Sequence, residues 1–144
     1  MRQRRRRSDC PIHFGLEVFG DPWTLLILRD LLLKGRSTYS EFLHAEEAIA
    51  SNVLADRLAR LEEDGLVVAD RSHSRGRAHR YRPTVKAVDL IPVLLDIIAW
   101  SATYDPATAA DPAFVAQLRT DRAGLERALR DQATAITASS STPT

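Results

Sequence analysis

The chain has 144 residues, 44% of them hydrophobic and 27% charged, with a formal net charge of +1 and a single cysteine. That balance fits one globular domain with a real core and excludes collagen-like, low-complexity and disulfide-scaffold classes. The longest apolar run, residues 23–33, is interrupted by Arg29 and Asp30, so none approaches the roughly 20 residues of a membrane span. No apolar core follows the Arg-rich start as it would in a signal peptide, and the chain is read as cytoplasmic with no membrane partner.

In chain order, residues 1–9 read as a basic flexible arm. A short apolar helix starts on the helix-compatible Pro11, carries Phe14, Leu16, Val18 and Phe19, and stops at Gly20. The stretch DPWTLLILRDLLLKG repeats the signature, with Asp21 as N-cap, Pro22 at the first helical position and Gly35 as terminator. Apolar nearly all round, it reads as the central core helix. STYSEFLHA offers Ser37 or Thr38 as cap and Glu41 as capping-box partner, with Tyr39, Phe42 and Leu43 turned inward. ASNVLADRLARLEEDG places Leu54, Leu58 and Leu61 at helical spacing before a stop at Gly65.

The period then changes. LVVAD and HRYRPT, joined by a basic loop with Gly76, predict a two-stranded hairpin closed by Pro83. Thr84 would cap one long apolar helix to Tyr104, mildly kinked at Pro92, and Pro106 and Pro112 bracket a loop. One last helix is predicted with Phe114, Leu118, Leu125 and Leu129 on a stripe, and the Ser/Thr-rich end reads as disordered. The fold class is mainly α with a small β-hairpin, and three helices followed by a basic hairpin is the order of a winged helix-turn-helix. The expected organisation is an arm (1–9), that domain (10–104), a helical extension (105–135) and a tail (136–144).

Charge is segregated. Arg2, Arg4, Arg5, Arg6 and Arg7, with Arg71, Arg75, Arg77, Arg80 and Arg82, make 10 of the 20 basic residues in two stretches free of Asp and Glu, leaving the rest of the chain at −9. Two basic runs on an acidic body point to a polyanion, and in a winged helix to double-stranded DNA. At about 100° per residue, Leu54, Leu58 and Leu61 of the third helix fall together, and the outward N-terminal half is small and polar. Ser51, Asn52, Ala55 and Asp56 are the candidate base-reading residues, with Arg60 beside them. Arg57, on the flank, is read equally as a DNA contact and as an internal ion pair. Asp56 suits a DNA-facing position only if it accepts from cytosine or pairs with Arg57 or Arg60. Thr38, Tyr39 and Ser40, which open the helix-turn-helix, and the hairpin residues Arg71, Arg75, Arg77, His79 and Arg80 complete the candidate contacts.

These residues also carry a resemblance. Cys10–Pro11, WTLLILRDLL from Trp23, YSEF from Tyr39, IASNVLADRLARLEEDGLV from Ile49, RYRPT ending the hairpin and LIPVLLDIIAW ending at Trp100 resemble, in order and spacing, the HxlR family of bacterial winged-helix regulators related to MarR. Pro83 stands where that family usually has Leu, and Ala87 where Gly is common. The resemblance implies a homodimeric transcriptional regulator, a repressor or an activator with the repressor favoured, on a pseudo-palindromic operator. It is paired through its first and its long C-terminal helix, which puts Phe14, Phe19, Leu94, Ile97 and Trp100 at the interface, with plain core the other reading of Trp100. The apolar surface of those helices is more than so small a body easily covers, which agrees.

Cys10 stands at a helix start beside the arginine run, a setting that favours thiolate. It is a candidate redox sensor, as some members of the resembled family have, or an inert side chain. A small organic effector near Trp23, Trp100 and Tyr104 is the other input considered, and core packing explains those aromatics equally well. His13, His44, His73 and His79 are scattered, and no CxxC, HExxH, phosphate loop or nucleophile elbow appears. No catalysis, metal or cofactor is expected. The rival reading from another class is a winged-helix module whose hairpin binds an acidic protein or RNA.

Overall fold

A computed structural model of the chain describes residues 6–71 and 79–138, with side chains through residue 135. The arm before residue 6, the tail beyond 138, and Arg75 and Arg77 lie outside the described residues.

Helix α1 (Pro11–Phe19) begins on its proline and ends where the Gly20 N–H donates to the Leu16 carbonyl at 2.7 Å. A Cβ on Gly20 would meet that oxygen at 2.4 Å, a close approach only glycine permits. None of the apolar side chains of α1 is buried. Helix α2 (Thr24–Leu33) starts later than its sequence predicts, because Asp21 and Pro22 form the turn ahead of it. Asp21 still caps: its Oδ2 accepts from the N–H groups of Trp23 (3.0 Å) and Thr24 (3.1 Å). Gly35, at φ +66°, lets the chain leave α2 in the left-handed region.

Helix α3 (Tyr39–Leu43) carries the predicted capping box, with Thr38 and Glu41 each accepting from the other's N–H. A turn then leads to helix α4 (Ser51–Glu63). Within that turn Ala48 holds φ +56°, which costs an L-residue about 1–2 kcal/mol. Ala48→Gly is therefore expected to stabilise the fold by about 0.5–1 kcal/mol, the strain relieved less the entropy a glycine loses. A rise of about 2 °C in the thermal midpoint would register it, and a fall would remove the strain assignment.

Leu54, Leu58 and Leu61 of α4 pack with Leu28 and Leu31 of α2 and Phe42 of α3 in the main core. Strands β1 (Val67–Asp70) and β2 (Arg80–Pro83) pair antiparallel, Val67 opposite Pro83 and Asp70 opposite Arg80. Alternation turns Tyr81 onto the edge of the Phe42 ring, 6.2 Å between centroids, and puts Arg80 and Arg82 on the other face. A link unforeseen in the sequence joins the hairpin to the helix-turn-helix: Thr38 bridges Arg80, and the Tyr81 N–H donates to the Ser37 carbonyl at 2.7 Å.

Two predicted helices are each divided. The stretch after Thr84 is helix α5 (Val85–Val88), a turn, and helix α6 (Ile91–Tyr104), with Pro92 in the first turn of α6. A proline has no N–H to give and clashes with the carbonyl four residues back, so it starts this helix instead of kinking a longer one. The final stretch is helix α7 (Pro112–Thr120) and helix α8 (Arg122–Ala138), separated by Asp121 in a non-helical conformation. Asp121 accepts from the Gly124 N–H at 3.1 Å and so starts α8. Helix α8 packs on α2, β2, α5, α6 and α7, and Leu118, Leu125, Leu129 and Ala133 join the same hydrophobic core as α2 and α4. The observed architecture is a winged helix-turn-helix extended by a helical hairpin that shares its core.

Candidate nucleic-acid interface

Helix α4 presents Ser51, Asn52, Ala55 and Asp56 to solvent, while its leucines anchor it to α2. Its N-terminus follows Ala50 and carries no side-chain cap. The Tyr39 hydroxyl donates to the Ser51 carbonyl at 3.0 Å and ties this end of α4 to α3. Of the three residues expected at the start of the helix-turn-helix, Tyr39 is thus engaged through its hydroxyl and Thr38 through the capping box, while Ser40 is exposed. Burial opposes the charge of Glu41, but the Thr38 hydroxyl and the N–H groups of Ser37 and Thr38 outweigh it and hold the carboxyl below its usual range.

The two arginines of α4 are both committed to carboxylates. Arg57 donates from Nε to Asp21 Oδ2 at 2.9 Å and from a terminal nitrogen to Asp56 Oδ2 at 2.5 Å. Arg60 Nε lies 3.1 Å from the same Asp56 oxygen. Burial pushes the Asp21 carboxyl up, yet hydrogen bonds from Thr24, Arg57 and the Trp23 and Thr24 N–H groups bring it down to about 2. Of the two roles open to Arg57, the structure shows the internal ion pair. The partner is 36 residues away in sequence, where spacing gives no signal.

In the hairpin, Arg71 makes a two-pronged contact with Glu62 at the end of α4, 2.8 and 3.0 Å, and so braces the base of the wing. His79 and Arg80 are exposed, with Arg80 donating to the Ser37 hydroxyl at 3.3 Å. The half-buried Arg82 has its Nε enclosed with no hydrogen-bond partner among the described residues.

Away from this face, Cys10 is exposed and its carbonyl accepts from the Phe14 N–H at 3.1 Å, opening α1. Arg6 of the adjacent basic run pairs with Asp9 at 2.9 Å. Ile12, Phe14 and Leu16 of α1 and Ile97, Trp100 and Tyr104 of α6 are exposed, the Trp100 and Tyr104 rings 5.3 Å apart. Phe19 is half-buried. Leu94 corrects the expected interface set: at 6% exposure it belongs to the core of its own chain, because it follows the inner face of α6 with Ile91 and Leu95. Trp23, considered with Trp100 and Tyr104 either for an effector or for core packing, packs against the core. Among the described residues no three His, Cys, Asp or Glu side chains are placed to hold a metal, and no helix is long and apolar enough to cross a membrane.

A helix-turn-helix whose second helix shows a small polar face, followed by a hairpin stitched to its first helix, is matched in sequence by the model of the HxlR-like helix-turn-helix over residues 18–109. The chain belongs to the HxlR family. As a member of it, the protein is a helix-turn-helix transcriptional regulator. A candidate regulatory protein, MalR of Fusobacterium mortiferum, is 26% identical over 98 residues, 68% of this chain and 92% of that one. The solved structure of PA1607, a candidate transcription factor, is 35% identical, with a TM-score of 0.63, covering 73% of this chain and 72% of that one. The redox regulator HypR in its reduced form is 26% identical, with a TM-score of 0.59, covering 65% of this chain and 92% of its own. In this HxlR-family chain, Cys10 and the α7–α8 hairpin lie outside the matched residues.

Proposed function

We propose that the protein binds a pseudo-palindromic DNA operator as a homodimer and represses transcription there. The observation that carries this reading is the exposed face of Ser51, Asn52, Ala55 and Asp56 at the uncapped start of α4, held rigid by the leucines beneath it. An asparagine there can pair with adenine in the major groove, and free helical N–H groups suit a phosphate. Arg80, exposed on β2 beside Ser37, would meet the flanking backbone together with Arg75 and Arg77. Two α4 helices related by a two-fold axis then read half-sites about one DNA turn apart. The apolar faces of α1 and α6 supply the surface for that axis.

Cys10 is the proposed input for oxidants. Its exposure supports this, as does the similarity to a regulator named for redox control. With one cysteine in the chain, oxidation would join Cys10 to a second copy or to a small thiol.

Selection of bound sequences from a random duplex pool tests the reading. The expected result is a two-fold-symmetric site, lost in a thiol oxidant and retained in the oxidant by Cys10→Ser. Arg77→Ala with Arg80→Ala should weaken operator and random duplex alike and flatten the salt dependence by about 0.9 for each phosphate no longer neutralised. Asn52→Ala should instead reduce discrimination between sequences, by about 1–3 kcal/mol at the base pair it reads. If no sequence is enriched, the hairpin is better read as a surface for an acidic protein or RNA.

A further inference from the structure

Resting on the reading of α4 as the recognition helix, we infer that Asp21 is a positioning residue that holds Arg57 off the DNA backbone and so limits the sequence-independent part of DNA affinity. The guanidinium of Arg57 lies at the rim of the outward face of α4. One nitrogen reaches Asp56 Oδ2 on that face at 2.5 Å, and Nε reaches inward to Asp21 Oδ2 at 2.9 Å. Arg57 is 20% exposed and Asp21 25%, so the pair is only partly screened by solvent. With Arg60 on the other side of Asp56, two guanidinium groups face two carboxylates, and the recognition helix brings no net charge from this cluster to a polyanion.

Asp21 is held in place for the task. Its Oδ1 accepts from the Thr24 hydroxyl at 2.5 Å, and its Oδ2 accepts the two N–H groups that open α2. The anchor therefore belongs to the rigid start of the core helix, and Arg57 cannot draw it outward. Without the Asp21 charge, Arg57 keeps only Asp56, which it shares with Arg60. One cation at the rim of α4 is then uncompensated and within reach of a phosphate. Backbone contacts of that kind add affinity without sequence information and steepen the salt dependence.

Asp21→Asn separates the charge from the cap, because asparagine caps helices about as well as aspartate. Binding is measured by fluorescence anisotropy on a random duplex and on the selected operator between about 50 and 200 mM salt. Asp21→Asn is expected to bind both duplexes more tightly, with the slope of log affinity on log salt steeper by about 0.9. Arg57→Gln alone should leave the wild-type slope unchanged, and Asp21→Asn with Arg57→Gln should return to it. Thermal unfolding checks that each variant is folded, and a merely structural pair would move stability without moving the slope. An unchanged slope in Asp21→Asn, or a shallower one in Arg57→Gln, overturns the inference alone. Failure of the wild-type chain to bind any duplex would overturn the DNA reading and this inference with it.

Discussion

Asp30→Ala is expected to destabilise the protein by about 3–4 kcal/mol, the lower part of what removing one partner of a buried ion pair costs. Asp30 is 1% exposed in the middle of the core helix α2. Its Oδ1 accepts from Arg29 Nε at 3.0 Å and its Oδ2 from Arg36 at 3.2 Å. Arg29 continues to Glu47, in the turn between α3 and α4, so the buried carboxylate is the inner end of a chain that fixes the approach to α4. Burial works against the charge of Arg29, but Glu47 and Asp30 outweigh it and raise its pKa above the ordinary value. Both arginines keep some contact with solvent, 23% and 32% exposed, and can turn toward water when Asp30 is removed. That places the cost below that of stranding a fully enclosed cation. Asp30→Asn keeps the volume and one acceptor and should cost about half as much. Chemical denaturation gives both values from the midpoint at constant slope. A loss under about 0.5 kcal/mol for the alanine variant would mean that Asp30 is tolerated in the core and does not hold these arginines.

Asp30 also marks where sequence reasoning stops. In the sequence it looks like a charge that merely interrupts an apolar run, and only the packed fold shows it enclosed and satisfied. What is legible is local. The leucine period of α4, the capping box at Thr38, the left-handed glycines at 35 and 65 and the change of period at the hairpin are all set by neighbours within about four residues. Helix breaks are less legible, because Val88 to Pro92 and Thr120 to Arg122 sit inside continuous apolar periodicity. There a missing N–H or a capping Asp decides between one helix and two. Partners distant in sequence are not legible. Neither Asp21 with Arg57 nor Thr38 with Arg80 has a spacing that announces it, since the tertiary fold alone brings them together. The candidate site is therefore readable as a face of α4, but not in which of its charges already neutralise each other.

A carboxylate on the apolar face of α6 should have the largest effect on function. Trp100 is 67% exposed and packs against Tyr104, with Ile97 one turn before it, and α1 adds Ile12, Phe14 and Leu16, none of them buried. A tryptophan at an interface covers about 150–250 Å², worth several kcal/mol at about 25 cal/mol per Å². In a two-fold interface each residue counts twice. In the proposed homodimer, Trp100→Asp removes that area and puts an unpaired charge in its place, which is expected to weaken self-association by at least about 100-fold, or about 2.8 kcal/mol. The single chain should stay folded, because Trp100 lies outside its core. Sedimentation at micromolar concentration should then show a monomer with wild-type circular dichroism. Operator affinity should fall toward that for a random duplex, because one half-site forfeits the contacts of the other. Trp100→Leu keeps an apolar side chain and should retain most of the association. If Trp100→Asp still sediments as the wild type does and still selects a symmetric site, the subunits pair through another surface. The exposed aromatics of α6 would then need a different occupant.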